Sequence, residues 1–450
     1  MTMMFQADIH SLRQTDVLVI GGGTAGIAAA ICAARRGCKT ILVEREYSLG
    51  GTAVSGLVGP FMTCSDPHGK RKLIRGFFEE LVERMIALDG AVDPMSIPNC
   101  DSHSSWHAKG HRNLTPFSSE VLKFAAEDLC LHYHVELLYG AQLVGIERNA
   151  TKHHIAKAVF AAKEGLIAVA PNMVIDCTGD GDAAFLAGCP MEKGDPQNGE
   201  MQAAGLFFLL DGLDENILQR RCNEQGWEAM RFEREIAEAA AQGEYPIPRR
   251  RLGLYKSCDG FWRANVTRLP NVDGTTSDGL TKAAVEGRQQ IAAIIRFLRK
   301  YVPGAEHARL VQSAATPGIR ETRRIKGNFV MTEQDLLNGT MFDDAILLCA
   351  NSRDVHTGMI GRYQPQERIY SLPYRLLLPA GVDNLLAAGR NVSCDRAVLS
   401  AIRVMPPCFG MGQAAGNAAA LALQSNRKPA QIDIHELQTR LRAENVVLEP

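Results

Sequence analysis

Residues 16–26 read DVLVIGGGTAG. An apolar run, Val17 to Ile20, breaks into three glycines and then into small residues. The spacing Gly21-x-Gly23-x-x-Gly26 is that of a turn carrying a strand into a helix around a phosphate group. Glycines alone are weak evidence, so the flanks decide. Val17–Ile20 is continuously apolar, as in a strand buried within a parallel sheet. Residues 24–36, TAGIAAAICAARR, are alanine-rich and stop at Gly37, which predicts a helix with a glycine C-cap. A second strand, Lys39 to Val43, then delivers Glu44. In that setting Gly21 permits the tight turn and Gly23 lets backbone approach a pyrophosphate. Gly26 and Ala30 let the helix lie close on the sheet. The helix N-terminus at Thr24 and Ala25 offers free N–H groups to phosphate oxygens, and Glu44 is placed to accept hydrogen bonds from a ribose.

With 450 residues the chain is too long for one simple core, so two or more joined domains are expected. A net charge of −1 gives no reason to expect nucleic acid or an anionic membrane as partner. No apolar run reaches the ~18–20 residues that span a bilayer. Residues 1–16 lack the apolar core of a signal peptide, so the expected location is cytoplasmic. The 12 cysteines are scattered singly, with no C-x-x-C. That spacing argues against zinc, an iron–sulfur cluster or a redox disulfide within the chain, and reads as reduced, buried thiols.

Three further segments bear on what the glycine turn would hold. After Glu44 comes REYSLGGTAVSGLVGPF, with the pair Gly50-Gly51 just past the second strand. Residues 173–182, MVIDCTGDGD, form an apolar strand running into Thr178-Gly179-Asp180-Gly181-Asp182. Residues 383–416, DNLLAAGRNVSCDRAVLSAIRVMPPCFGMGQAAG, read as a strand ending at Gly389 and a small-residue helix starting near Gly410-Met411-Gly412.

Together the four segments resemble the FAD-dependent oxidoreductases of the fumarate reductase/glutathione reductase flavoprotein superfamily, and within it a widespread bacterial group. Ile319-Arg320-Glu321-Thr322-Arg323-Arg324-Ile325 and Arg353-Asp354-Val355-His356-Thr357-Gly358 look like that group's own motifs. The resemblance runs from about Asp16 to Leu423. It implies an α/β fold: a Rossmann-like FAD-binding domain, with a parallel sheet and a β-meander, plus an inserted α+β substrate or capping domain. It implies FAD, and because no cysteine spacing demands a covalent link the flavin is expected to be held non-covalently. Gly21, Gly23, Thr24, Ala25 and Gly26 would hold the pyrophosphate, Glu44 the adenosine ribose, and Arg45 would cover the adenine. Gly50, Gly51 and Thr52 would line the phosphate and ribityl region. Leu143 matches the position whose backbone meets adenine. Thr178 and Gly179 would return the chain to the nucleotide, and Gly389 would end the last strand beside it. Asp395 would reach the ribityl or pyrophosphate. The turn Gly410-Met411-Gly412 would aim N–H groups at the flavin N1/O2 edge, which a helix N-terminus would favour in its reduced, anionic form.

On this reading the FAD-binding domain is discontinuous, at 1–60, 115–190 and 380–425. Residues 61–114 and 191–379 form the substrate or capping domain, and 426–450 a peripheral segment. Helices are expected at 74–88, 118–132, 214–241, 278–300 and 433–443, with short alternating strands from Val135 to Val169. A second G-x-G-x-x-G unit, which would mark an NAD(P)H domain, is missing from the sequence. The electron partner is then the substrate, another protein, or a pyridine nucleotide bound without this fingerprint.

A hydride reaction at flavin needs an acid or base and a substrate anchor. His356, in the polar, glycine-containing stretch NSRDVHTGMIGRYQPQ, is the first candidate, on an expected loop; its unperturbed pKa of ~6.5 suits either role. Arg390 is the candidate contact to substrate or flavin. Arg353 and Arg362 are alternatives, while Arg320, Arg323 and Arg324 with Glu321 read as an ion-pair cluster. Tyr363 and Tyr374 read as packing residues with hydroxyls that can face the ring. His103, His107 and His111, with Asp101, fall in a segment without an apolar stripe and are read as a loop bordering the site, not a metal centre. Cys394 and Cys408 flank the flavin segment without a spacing that demands a covalent link. The expected activity is that of a dehydrogenase or reductase moving a hydride between flavin N5 and a small organic substrate. The alternatives are a flavin monooxygenase, suggested by Gly179-Asp180-Gly181-Asp182, or an electron-transfer subunit with a redox partner protein.

Overall fold

The computed structural model describes residues 7–96, 114–358 and 360–450. Its centre is a seven-stranded sheet. Strand β1 (Ile9–Ile20) leads into helix α1 (Thr24–Arg35) and then β2 (Thr40–Glu44). Helix α2 (Ser119–His132) precedes β3 (Glu136–Tyr139), β4 (Gln142–Arg148), β5 (Ile155–Ala162) and the long β6 (Gly165–Asp176). β3, β2, β1 and β6 lie side by side in parallel, while β4 and β5 continue from β6 as an antiparallel meander. The first half of β6 pairs with β5, and its last residues pair in parallel with a short strand, Leu385–Ala387. Val17, Leu18 and Val19 are wholly buried, as a continuous apolar run in a two-faced sheet requires.

A second sheet packs around a separate apolar cluster. It consists of β7 (Phe208–Asp211), β8 (Leu254–Lys256), β9 (Trp262–Ala264) and β10 (Arg309–Ser313), in the order β8-β9-β7-β10. Helix α3 (Ser277–Tyr301) covers it, and its Gly287 admits Leu206, whose Cβ would lie 2.8 Å from an added methyl. A hairpin follows, β11 (Arg353–Thr357) with β12 (Ile360–Gln364). The Leu385–Ala387 strand is β13, after which come α4 (Arg396–Ile402) and α5 (Met405–Gln424).

α5 is apolar on all sides and almost entirely buried, so it belongs in the interior. It lies directly on α1. A methyl on Gly412 would sit 2.0 Å from the Ala25 carbonyl oxygen, and one on Gly416 2.3 Å from that of Ala29. Small residues on both helices let the two backbones touch.

Two expectations are corrected here. Gly410-Met411-Gly412 is not a turn that opens a helix. α5 starts at Met405, with prolines in its first turn, and residues 410–412 lie inside it with their approaches made to Leu347 and Ala25. The prolines preset φ and need no helical partner for a missing N–H, so they, not the glycines, mark the start. His356 does not sit on a loop either: it is part of β11, where Gly361 of β12 is its pairing partner. His103, His107, His111 and Asp101 lie outside the described residues.

Candidate active site

The parallel strands end together. Ile20 is level with Val43 on one side and Asp176 on the other, and Asp176 is level with Ala387. Gly21, Glu44, Cys177 and Ala388 therefore emerge along one carboxyl edge of the sheet, the edge at which open α/β sheets bind ligands.

Gly21 turns there at φ +102°, and a Cβ on it would lie 2.5 Å from the Cys177 carbonyl oxygen. A Cβ on Gly26 would lie 1.8 Å from the Gly21 carbonyl oxygen, so strand and helix meet through bare backbone. Gly23 differs: an added methyl would meet nothing within 4 Å, and its N-cap position supplies no side-chain acceptor. The first turn of α1 carries no acid. Its leading N–H groups, at Thr24, Ala25 and Gly26, have no acceptor among the described residues, and the positive end of the helix lies behind them. Gly50 N donates to the Gly22 carbonyl oxygen at 2.8 Å, and a Cβ on Gly51 would lie 3.0 Å from Gly23 Cα. The second glycine pair is stacked on the first, with Thr52 exposed beside it.

Glu44, buried at the end of β2, accepts from Gly22 N at 2.6 Å and Glu46 N at 2.9 Å, one bond to each oxygen. Each oxygen keeps capacity for a further donor such as a ribose hydroxyl. Arg45 beside it is half-exposed. Ala141 N donates to the Glu44 carbonyl oxygen at 3.2 Å. Leu143 is not at that edge: it pairs with Phe160 in the meander and packs on the sheet's own core. Of the two, Ala141 stands next to Glu44, because β3 ends at Tyr139 and the chain passes Glu44 before entering β4.

Asp176 was not among the expected site residues. It is completely buried, and its carboxylate accepts from Thr178 N, Thr178 Oγ1 and Ala184 N at 2.7–3.1 Å. An Asp closing an apolar strand, with Thr two positions on, signals such a turn. Its bonds fix Thr178 and Gly179 over the sheet edge. Arg390 covers this loop: its guanidinium pairs with Asp180 at 2.7 Å and lies 3.2 Å from where a Gly179 Cβ would be. Gly389, at φ +107°, approaches Ala25 of α1. Asp395, expected to reach the nucleotide, has both oxygens engaged elsewhere. One caps α4 through Val398 N, and the other accepts from Glu333 N.

The expected ion pairs of 320–324 are partly realised. Arg324 and Arg396 share the fully buried Glu321, and Arg323 binds Asp182 and the Asp180 carbonyl. Burial, with Asp180 and Asp176 nearby, pushes the Asp182 carboxyl up to about 6. Among the described residues Arg320 takes no carboxylate; it donates to the Ala203 carbonyl oxygen at 2.5 Å. Arg353 pairs with Glu333, Arg362 is exposed, and the buried Tyr374 hydroxyl donates to the Pro429 carbonyl oxygen. Tyr363 is half-exposed, its hydroxyl on Ser352. Cys394 and Cys408 are buried, and burial raises both thiols.

His356 Nε2 lies 2.8 Å from Asp354 Oδ2, and its Nδ1 lies 3.2 Å from Arg268 Nη1. Arginine only donates, so Nδ1 accepts and the proton sits on Nε2, directed at Asp354. Burial, aided by the Arg320 charge, lowers the imidazole to about 3 despite Asp354. At neutral pH the ring is uncharged with both nitrogens in use. Burial favours a protonated Asp354, but the His356 hydrogen bond and the charges of Arg403 and Arg320 outweigh it and hold the carboxyl below the ordinary range.

This wall is tied to the glycine cradle from two sides. Gly205 and Gly318 exchange backbone hydrogen bonds beside Arg320, and Ala315 N donates to Ser55, three residues past Thr52. On the other side Arg403, which donates to the Asp354 carbonyl oxygen, caps the end of α4 two residues before α5.

An uncapped helix end opened by Gly23, a carboxylate with spare acceptor capacity at Glu44 and a second glycine pair fit a dinucleotide. Fold and cradle define an α/β dinucleotide-binding protein. A family model described as FAD dependent oxidoreductase matches residues 16–441, and the chain belongs to that family. It is an enzyme, and its cofactor is FAD. Over 50 residues it is 44% identical to a glutathione reductase of Debaryomyces hansenii, covering 11% of this chain and 10% of that protein. Over 83 residues it is 30% identical to a 3-oxosteroid 1-dehydrogenase of Mycobacterium tuberculosis, covering 16% of this chain and 15% of that one. Among solved structures it is similar to a geranylgeranyl bacteriochlorophyll reductase-like protein from Thermoplasma acidophilum, with 13% identity, a TM-score of 0.47, and 96% and 84% of the two chains covered. It is also similar to a flavin-dependent monooxygenase solved with FAD and substrate, with 12% identity, a TM-score of 0.49, and 92% and 58% covered. Among the described residues no helix is long and apolar enough to cross a membrane.

Proposed function

We propose that the protein is a dehydrogenase or reductase of the fumarate reductase/glutathione reductase superfamily, in its bacterial group, acting on a small polar organic molecule. The division into a discontinuous FAD domain and a capping domain at 61–114 and 191–379 belongs to the same proposal. Gly21, Gly23, Thr24, Ala25 and Gly26 hold the pyrophosphate, Glu44 the ribose, and Gly50, Gly51 and Thr52 the ribityl side. Thr178, Gly179 and Gly389 complete the cradle. FAD, when bound, supplies hydride exchange at N5.

The observation that carries this reading is the charged wall of His356, Asp354 and arginines, tied to the cradle at both Ser55 and Arg403. Such a wall binds and orients a polar substrate. His356 acts there as a neutral ring that passes the hydrogen bond of Arg268 on to Asp354; a base role requires Arg268 to release Nδ1. Arg390, paired with Asp180, would hold the Gly179–Asp180 loop in place beside FAD.

The test is anaerobic turnover of the yellow holoenzyme with an artificial dye and a panel of small organic acids and alcohols. Bleaching of the oxidised flavin by one compound, with stoichiometric dye reduction and no need for oxygen, is expected. Turnover only with oxygen, giving a hydroxylated product, overturns this in favour of a monooxygenase.

A further inference from the structure

Two arginines bond the hairpin β11–β12, and two more lie within electrostatic reach of its Asp354, without enough acid to match them. Arg268 is buried and donates to the Gly358 and Thr357 carbonyl oxygens as well as facing His356. Arg403 reaches the Asp354 backbone, its guanidinium 3.9 Å from the Asp354 carboxylate. Arg320 is anchored on Ala203, whose own N–H donates to the His356 carbonyl oxygen at 2.8 Å. Arg249 donates to Asn265 and lies within electrostatic reach of Arg268, Arg320 and Asp354.

The acids in range do not balance this charge. Among the described residues Asp354 is the carboxylate that bonds within the group; Glu200 touches its edge through Gly358 N, and Glu321 lies within electrostatic reach of Arg403. Glu321 is already shared by Arg324 and Arg396, and Asp180 by Arg390. Guanidinium stays protonated at neutral pH, so the excess cannot be relieved by titration. Burial and mutual repulsion lower Arg320 to about 9, the Arg403 charge being the main neighbour in that direction.

Two buried donors also stand without a partner among the described residues. One is Nε2 of Gln202, a residue 2% exposed whose Oε1 accepts from His356 N; the other is Nε of Arg403. Buried donors left unpaired are costly, and each costs less once an acceptor arrives. Excess positive charge, orphaned donors and adjacency to the cradle converge on one kind of guest.

We propose that Arg249, Arg268, Arg320, Arg403 and Gln202 form an oxyanion-binding wall, and that the ligand it takes is a small organic dianion. Calling that ligand the substrate rests on the oxidoreductase reading; the anion site itself does not. Two charges are required because a monoanion leaves the wall with net repulsion. Planar guanidiniums favour carboxylate or phosphate oxygens, which they bind through paired N–H groups.

Calorimetry on the FAD-loaded protein tests this with succinate and inorganic phosphate as probes, against acetate and neutral succinamide. At least one dianion is expected to bind about tenfold or more tightly than acetate, with no heat from succinamide. Succinate binding without phosphate binding assigns a dicarboxylate, and the reverse a phosphate ester. Arg320→Met and Arg249→Met are each expected to weaken binding about tenfold or more, with Arg320→Lys restoring part of it and flavin content unchanged. Arg309→Met, on the exposed Asp211 pair, should leave it unaltered. Failure of both dianions to bind the unmodified protein overturns the proposal, as does binding that survives both substitutions. Should the variants not fold, the succinate and succinamide comparison on the natural chain still decides. A dianion that binds while no compound reduces the flavin keeps this site and defeats the proposed activity.

Discussion

The Nδ1 lone pair of His356 is taken by Arg268, and its Nε2 proton by Asp354. That arrangement has a consequence for stability. In the unfolded chain the imidazole titrates near ~6.5, whereas in the fold burial and the Arg320 charge lower it to about 3. Between those values the unfolded state binds the extra proton, so the His356 contribution is present above pH ~6.5 and is lost as pH falls toward 3. The limiting slope for one proton is about 1.4 kcal/mol per pH unit. His356→Gln removes it. Denaturant titrations from pH 7 to pH 4 should show a shallower acid loss in the variant, by up to that slope. Parallel pH profiles for variant and natural chain would mean that His356 titrates normally in the fold. Histidine in a polar stretch was legible as a site candidate; its pairing was not, because Arg268 comes from a remote part of the chain.

The α1–α5 contact is the element on which the cradle's geometry depends. In the proposed cradle α1 presents Thr24, Ala25 and Gly26 to the pyrophosphate, and its placement depends on Gly412 and Gly416, which let α5 lie against its carbonyls. Gly412→Ala puts a methyl 2.0 Å from the Ala25 oxygen, between two backbones that have no flexible side chain to yield. Overpacking of this kind costs about 1–3 kcal/mol. Gly145→Ala on β4 is the control, since its methyl meets nothing nearer than 3.8 Å. The first variant should lose stability within that range and retain less FAD; the second should do neither. Equal unfolding midpoints for the two would remove α5 as the support of α1. The strand, glycine turn, helix and Glu44 could be read from the sequence because each depends on neighbours a few residues away. The role of Gly410–Gly412 could not, although Pro406 and Pro407 carried the true helix start. A glycine that opens a turn and one that admits a second helix have the same local sequence signal.

At the scale of the molecule, the proposed FAD cradle joins stretches that are far apart in the chain: Gly21–Gly26, Glu44–Thr52, Asp176–Asp182 and Ala388–Arg390. Their strand ends are level, so a cofactor bound at the proposed cradle would tie together strands β1, β2, β6 and β13. The arginine wall is built on the same plan, from residues 249 to 403, which is why no window of sequence displays it. A ligand held only by the assembled edge stabilises the fold by mass action, about 2.7 kcal/mol at a hundredfold excess over its dissociation constant. Gly23→Asp separates that linkage from intrinsic stability. Its side chain enters space where a methyl meets nothing within 4 Å, so the cofactor-free variant and cofactor-free natural chain should unfold within about 0.5 kcal/mol of each other. Adding FAD should raise the unfolding midpoint of the natural chain alone, because the new carboxylate would enter the proposed pyrophosphate position and repel it. Matched thermal scans with and without FAD read both quantities. A cofactor-free variant that melts well below the natural chain would make Gly23 a structural glycine. A midpoint indifferent to FAD in the natural chain would mean that the four stretches are held together without it.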